Sequence, residues 1–238
     1  MKKANFVLPE KMTPEQKFFR TIPQLSLLED NQVFKLAQKT IKKKYRKGEY
    51  VFFQGDPVDH LYFLEIGKVE VYKSDINGKK LSLWYIEESE IFCLAALYSP
   101  KAFACAEVME DALIYSLLKK DFDEVMTSSH ALSRNLIRCV CNKLVAYSTL
   151  VDDIAFKKIE VRLAKALLGN QSSVGNDTYV CQLSQDELAA QVGTRREVVA
   201  RCLKAFRERD LIKISNTGRP RNIIIHSCDA LQDIVDQE

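Results

Sequence analysis

SQDELAAQVGTRREVVARCLKAFRERDLI, residues 184–212, reads as two short amphipathic helices broken at a glycine. Ser184 stands three residues before Glu187, and Thr194 three before Glu197, so each predicted helix opens with a capping box. Leu188 and Val192 supply the inward face of the first helix, and Val198, Leu203 and Phe206 that of the second. Gly193 falls in the turn, which makes the stretch a helix-turn-helix and not one long helix. The first two turns of the second helix then present Arg195, Arg196, Glu197 and Arg201, and in this motif those turns enter a major groove. A plain solvated helix face would carry the same charges. The paired caps around a Gly-centred turn favour DNA.

Working outward, 238 residues are too many for one small domain and suit two, of roughly 150 and roughly 80 residues. Net charge is only +3, so composition does not announce a nucleic-acid binder. Distribution says more: Arg is absent from 47 to 133 and recurs through the rest of the chain. The seven Cys are scattered without a paired CxxC pattern, which fits reduced thiols in a cytoplasm better than a disulfide framework. Lys2, Lys3, Glu10, Lys11 and Glu15 interrupt any secretory apolar run. No stretch reaches the ~20 apolar residues of a membrane span, so the expectation is a cytoplasmic protein with no membrane partner.

Just downstream of the helix-turn-helix, LIKIS and RNIIIHS flank Asn216-Thr217-Gly218-Arg219-Pro220 and read as a wing, with Arg219 and Arg221 at its tip beside the phosphates. Upstream, KKIEVRLAKALLGN forms a helix with Val161, Ala164, Leu167 and Leu168 inward, and a Gly/Ser/Asn-rich loop over 169–178 leads to the short strand YVCQL. From Asp121 to about Phe156 the residues Ile137, Val140, Leu144, Tyr147, Val151 and Ile154 alternate in steps of three and four. Such a seam either packs on its own domain or pairs with a second copy across a two-fold axis. A helix-turn-helix that reads two half-sites favours the homodimer.

The N-terminal half has a different rhythm. Residues 1–20 form a polar arm with Phe6, Phe18 and Phe19, either covering an apolar patch or loose, and 24–39 make one or two short helices. KKKYRK at 42–47 reads as a charged rim, with accessory DNA or membrane contact as the alternative. From Glu49 the period becomes two, in runs separated by Gly55-Asp56-Pro57, Gly67 and Asn77-Gly78, and FACAEVMEDALIYSL at 103–117 resumes it. Short strands with such turns make an antiparallel barrel or sandwich.

The ordered set of these pieces resembles the family of the cyclic-AMP receptor protein and the fumarate-nitrate regulator (CRP/FNR), over most of residues 20–231. The resemblance is carried by Gly48-Glu49, Gly55-Asp56-Pro57, Leu61-Tyr62-Phe63-Leu64 with Gly67-Lys68-Val69, Gly78-Lys79 and Asp121-Phe122. In the second half it is carried by Arg162-Leu163-Ala164, Leu183-Ser184-Gln185, Glu187-Leu188-Ala189, Val192-Gly193, Arg196-Glu197-Val198-Val199-Ala200-Arg201 and Leu211-Ile212. It implies an α+β chain: an N-terminal cyclic-nucleotide-binding-like antiparallel jelly roll (21–120), a long dimerisation helix (121–154) and a C-terminal winged helix-turn-helix (155–238). It also implies a palindromic double-stranded DNA site with half-sites close to TGTGA, and RNA polymerase as a partner where the protein activates. Arg196, Glu197 and Arg201 occupy the family's base-reading positions. Arg pairs bidentately with guanine O6 and N7, and Glu accepts from cytosine N4. Ser184, Thr194, Arg195, Arg219 and Arg221 are the expected backbone contacts.

At the effector site the chain departs from that pattern. Aligned by eye, the family's Gly-Glu pair for ribose falls on Cys93-Leu94, and its Arg-Ser pair for phosphate on Ala102-Phe103. A buried phosphate without a charge partner is costly, so a cyclic nucleotide is not expected as the signal. The residues left there are Phe92, Cys93, Leu94, Leu97, Tyr98, Lys101, Phe103 and Cys105. Three readings stand: a filled core with no ligand, a pocket for a small hydrophobic or aromatic effector, and a haem or thiol-based redox sensor. Ile91-Phe92-Cys93 resembles the thiolate-ligand stretch of the carbon-monoxide-sensing haem members, but Ala95 replaces the His those members carry two residues on. No cofactor is required by the sequence. The family's N-terminal iron–sulfur cluster does not match, because the first Cys is Cys93, and no spaced metal-ligand motif occurs among the three His. No nucleophile–base motif, GxxxxGK[ST] or HExxH is present, so an enzyme is not expected and no catalytic residue is assigned. The contrasting function class is a ligand-binding module whose winged helix serves protein contact.

Overall fold

The computed structural model describes residues 12–174, 178–215 and 222–237. Contacts divide the chain into two compact units, one holding the residues up to Lys73 with Trp84–Val145, the other Ser74–Leu83 with the chain from Ala146 onward.

The first unit opens with α1 (Pro14–Thr21), a 3₁₀ turn at Pro23–Leu25, and α2 (Asp30–Lys39). The end of the expected arm, from Pro14 onward, is therefore helical. The Thr13 hydroxyl accepts from the Gln16 amide at 3.3 Å, while the Thr13 amide donates to Gln16 Oε1 at 2.7 Å, a complete capping box. Phe18 and Phe19 are buried, stacked on Tyr115 and edge-on to Phe63, so this segment is core and not a loose arm. Phe6 lies outside the described residues.

Eight strands follow: β1 (Ile41–Tyr45), β2 (Tyr50–Phe52), β3 (His60–Ile66), β4 (Val69–Ser74), β5 (Lys80–Ile86), β6 (Glu90–Phe92), β7 (Cys105–Val108) and β8 (Ala112–Leu118). They form two four-stranded sheets, ordered β1-β8-β3-β6 and β2-β7-β4-β5. The KKKYRK run expected as a rim supplies β1, an edge strand whose Lys42, Lys43 and Lys44 are exposed. Lysines suit an edge, because their desolvation opposes further strand pairing. On β3, Leu61 and Phe63 face the helices in one apolar cluster with Phe19, Leu36 and Phe122. Tyr62 points the other way and meets Phe92 and Phe52 at ring separations of 5.3 and 5.6 Å, which ties one sheet to the other. Gly67 turns the β3–β4 hairpin at φ 97°, and a Cβ there would stand 2.7 Å from the Asp111 carbonyl oxygen, so only glycine fits.

The helix expected over 121–154 is two helices, α3 (Lys119–Ser128) and α4 (His130–Phe156). Ser129 breaks them: its backbone is extended, and its hydroxyl accepts from the Leu132 amide at 3.2 Å, capping the second helix. Leu132 and Leu136 bury the start of α4 in the first unit's core. Beyond them Ile137, Val140, Leu144 and Val151 are 63%, 52%, 67% and 60% exposed, and Ile154 is at the border of exposure. Tyr147 is half-buried. The seam is thus not packed away inside its own chain.

The second unit contains α5 (Ile159–Gly169), β9 (Gln171–Ser173), β10 (Tyr179–Cys181), α6 (Gln185–Val192), α7 (Arg196–Glu208), β11 (Ile212–Ile214), β12 (Ile223–Ile225) and α8 (Cys228–Asp236). Its sheet runs β11-β12-β10-β9. Val161, Leu163, Ala164 and Leu167 of α5 share a core with Leu188, Val192, Val199, Leu203, Phe206, Leu231 and Ile234. Val199, not Val198, is the fully buried residue at the start of α7. Two elements were not expected, β9 inside the Gly/Ser/Asn loop and α8. The Ser227 hydroxyl caps α8 by accepting from Ala230 at 3.1 Å, and Leu231 and Ile234 bury its apolar face.

Candidate nucleic-acid interface and effector region

The capping box of α6 is closed: the Glu187 amide donates to Ser184 Oγ at 3.2 Å and the Ser184 amide to Glu187 Oε2 at 2.7 Å. At the other end Gly193 takes a left-handed conformation, φ 66° and ψ 40°, and the Gly193 and Thr194 amides return to carbonyls of the last turn. Arg162 of α5 donates from Nη1 to the Val192 carbonyl at 2.7 Å, satisfying a further helix-end acceptor. The turn between the helices is therefore fixed by backbone geometry and one guanidinium.

This turn corrects one expectation. Thr194 is not the cap of the second helix: its amide serves α6, its side chain is buried, and α7 begins at Arg196 with Arg195 in the cap position and no side-chain cap bond. Thr194 is thereby removed from the surface where a phosphate contact was expected. Closing α6 uses Gly193 and Thr194, and α7 starts after them.

Arg195, Arg196, Glu197 and Arg201 are all exposed. At 3.6 residues per turn, Glu197 and Arg201 fall about 40° apart on the side of α7 opposite the buried stripe of Val199, Leu203 and Phe206, while Arg196, at the first position of the helix, lies at the edge of that stripe and is exposed because no turn precedes it. The helix thus offers two guanidinium forks and a carboxylate to solvent, held by a rigid core. A residue not singled out from sequence joins them: Asp186 of α6 lies 3.4 Å from Arg196 Nη1. Ten positions separate the two in sequence, so no helical spacing could have paired them. The wing's base is closed by Ser215 donating to the Asn222 carbonyl at 2.8 Å. Its tip residues Arg219 and Arg221 lie outside the described residues.

In the first unit the effector candidates go to different places. Phe92 is core, stacked on Tyr62. Leu94 and Leu97 pack against the helix-side cluster. Cys105 is buried and accepts from the Gln54 amide at 3.3 Å, while its neighbour Ala106 points to the opposite face of the sheet. Tyr98 is 86% exposed, and Lys101 is also exposed. Phe103 meets Trp84 of β5 at 6.0 Å between rings, and Lys143 of α4 lies 4.7 Å from the Trp84 ring. Burial raises the Glu90 carboxyl, opposed by the Lys143 charge. Trp84 and Lys143 carried no sequence signal, because the contact joins a strand, a loop and a helix far apart in the chain.

The positions aligned with the family's ribose and phosphate contacts carry no charged side chain. Ala102 is buried and uncharged, Leu94 is core-packed, and Phe103 is engaged with an indole. The effector candidates match the thiolate-ligated haem pattern only in part. Ala95 has no ligand atom to offer where the haem members carry a His, and in the free protein burial pushes the Cys93 thiol up to about 11. Among the described residues no three His, Cys, Asp or Glu side chains cluster as metal ligands.

Comparison with known proteins agrees with this architecture. Residues 42–129 match the cyclic nucleotide-binding domain family, and residues 161–234 match the Crp-like helix-turn-helix domain family. The chain is 26% identical over 194 residues to the cyclic AMP receptor protein of Thermus thermophilus, covering 81% of this chain and 87% of that one. It is 24% identical over 223 residues to the anaerobic regulatory protein of Bacillus subtilis, covering 90% and 92%. The crystal structure of a putative CRP/FNR-family transcriptional regulator from Eubacterium rectale superposes with a TM-score of 0.75 at 19% identity, covering 91% of this chain and 99% of that one.

Proposed function

The chain belongs to the CRP/FNR family of transcription regulators, which are DNA-binding proteins and not enzymes, and from that we propose that it acts as a cytoplasmic homodimer reading a palindromic promoter site under a signal other than a cyclic nucleotide. The observation that carries the DNA reading is the exposed Arg196, Glu197 and Arg201 set on a helix whose back is locked into the core. Arg196 and Arg201 take guanines and Glu197 a cytosine, giving half-sites related to TGTGA. Ser184 with the α6 N-terminus, Arg195, and the wing residues Arg219 and Arg221 hold phosphates and set register. RNA polymerase is the further partner where the bound protein activates.

The exposed seam Ile137, Val140, Leu144, Val151 and Ile154, with Tyr147, is the proposed dimer contact. Two half-sites on one face of a duplex require two recognition helices related by a two-fold axis. The case against a cyclic nucleotide is the chemistry of Leu94, Ala102 and Phe103 described above. The roll takes a small apolar or aromatic effector, or transmits through its filled core. Selection from a randomised duplex pool tests the DNA reading. The wild-type protein should return a two-fold motif, and Arg196→Ala or Arg201→Ala should cost about 1–3 kcal/mol and relax one base pair per half-site. Return of the wild-type motif at undiminished preference by both variants would refute these assignments.

A further inference from the structure

We propose that Asp186 is a specificity-determining residue of the DNA interface, acting by holding the Arg196 guanidinium for a base edge and opposing its use on any phosphate. The inference rests on α7 being the base-reading helix.

Asp186 sits in the first turn of α6 and Arg196 at the first position of α7, so the helix-turn-helix brings two helix starts together on one solvent face. Asp186 Oδ2 and Arg196 Nη1 are 3.4 Å apart, and the side chains are 70% and 62% exposed. Among the described residues, Arg196 is the cation within ion-pair distance of Asp186. The capping box of α6 is completed by Ser184 and Glu187 without it. An ion pair this exposed contributes little to folding. Its effect belongs to the docked state.

A guanidinium has five N–H donors, and a bidentate pair with guanine uses two of them. The others remain for Asp186, so the carboxylate can stay in place while the fork meets O6 and N7, fixing its plane and limiting its swing. Where no guanine is present, the same carboxylate stands against a groove rimmed by phosphates, and its charge works against docking. Asp186 therefore penalises wrong sequences more than right ones, by the logic through which specificity needs a repulsive element as well as an attractive one. Sequence-independent binding scales with the number of phosphates neutralised, so a free acid beside the leading Arg lowers it directly.

The test is a double-mutant comparison at fixed salt, with cognate and scrambled duplexes and a cognate site changed only at the base pair read by Arg196. Asp186→Asn preserves shape at an exposed position and removes one carboxylate from the first turn of α6, so the melting temperature should fall by no more than a few degrees. It should tighten scrambled-site binding by about three- to tenfold, steepen its salt dependence by about one contact per subunit, and shrink the preference at that base pair by a similar factor. In an Arg196→Ala background, Asp186→Asn should shift all three duplexes equally. If Arg196→Ala relaxes the preference but Asp186→Asn leaves it intact in the otherwise wild-type protein, Asp186 is a bare surface charge and the inference fails alone. If Arg196→Ala itself leaves the preference intact, the base-reading assignment fails and this inference with it.

Discussion

Replacing Leu144 by Asp should split the proposed dimer while leaving each protomer folded. Leu144 is 67% exposed on α4, with Ile137, Val140 and Val151 exposed along the same helix. Burying a whole Leu side chain is worth about 1.5–3 kcal/mol, so the exposed two-thirds is worth about 1–2 kcal/mol per protomer. A two-fold axis places both copies in the contact, which doubles the loss to about 2–4 kcal/mol. At 1.4 kcal/mol per tenfold, the dimer dissociation constant should rise by about thirtyfold to a thousandfold. Two carboxylates at one seam level move the result toward the upper end. Affinity for a full palindrome should fall steeply, because the second half-site is no longer bound at high effective concentration, while half-site binding changes little. Light scattering across a concentration series measures the dissociation, and a melting curve checks that the fold is intact. A wild-type protein that is monomeric at micromolar concentration, or a variant whose dimer dissociates no more readily than wild type, would refute the seam as the dimer contact.

Other perturbations address the turn, the signal and the thiol. Gly193→Ala forces a Cβ into a left-handed position at φ 66° with Leu81 Cδ1 only 3.2 Å away; it should destabilise the second unit by about 1–2 kcal/mol, measured by denaturant melting, and no loss of stability would show that the turn relaxes freely. Cyclic AMP at millimolar concentration should leave the melting temperature unchanged, since a ligand that binds the folded state must raise it; a saturable rise would overturn the reading of Leu94, Ala102 and Phe103. Cys93, raised from 9.0 to about 11 by burial, should carry about a hundredfold less thiolate than an ordinary thiol near neutral pH. Iodoacetamide labelling followed by mass spectrometry should find exposed Cys141 modified well before Cys93, and equal rates would contradict the burial argument. Because the folded-state thiol value is raised, Cys93 contributes stability below pH 9 that is lost as pH rises toward 11.

What the chain determines locally was legible. Alternation with Asn-Gly and Gly-Asp-Pro turns fixes the strands of the roll, since a period of two suits a pleated surface and those turns suit its hairpins. Ser184 with Glu187, and Gly193 with its freedom at positive φ, fix the helix-turn-helix, because caps and left-handed residues are properties of a few adjacent positions. The stepped spacing of Ile137 to Ile154 predicts an apolar line along one helix for the same reason. Errors arose where two local signals competed for the same atoms. Thr194 and Glu197 look like a capping box, but the Thr194 amide is needed to close α6, and Ser129 interrupts what reads as one long helix.

Tertiary structure alone decided which residues meet across the chain. Phe18 and Phe19 of a polar-looking arm became core because Tyr115 and Phe63 of distant strands receive them. Trp84, Phe103 and Lys143 converge from a strand, a loop and a helix, and Asp186 faces Arg196 only because the turn at Gly193 sets two helix starts side by side. Periodicity places a side chain on a face of its own element. Which other element covers that face depends on how the whole chain packs, and that is where the sequence reading of the effector region and of the Arg196 partner ran out.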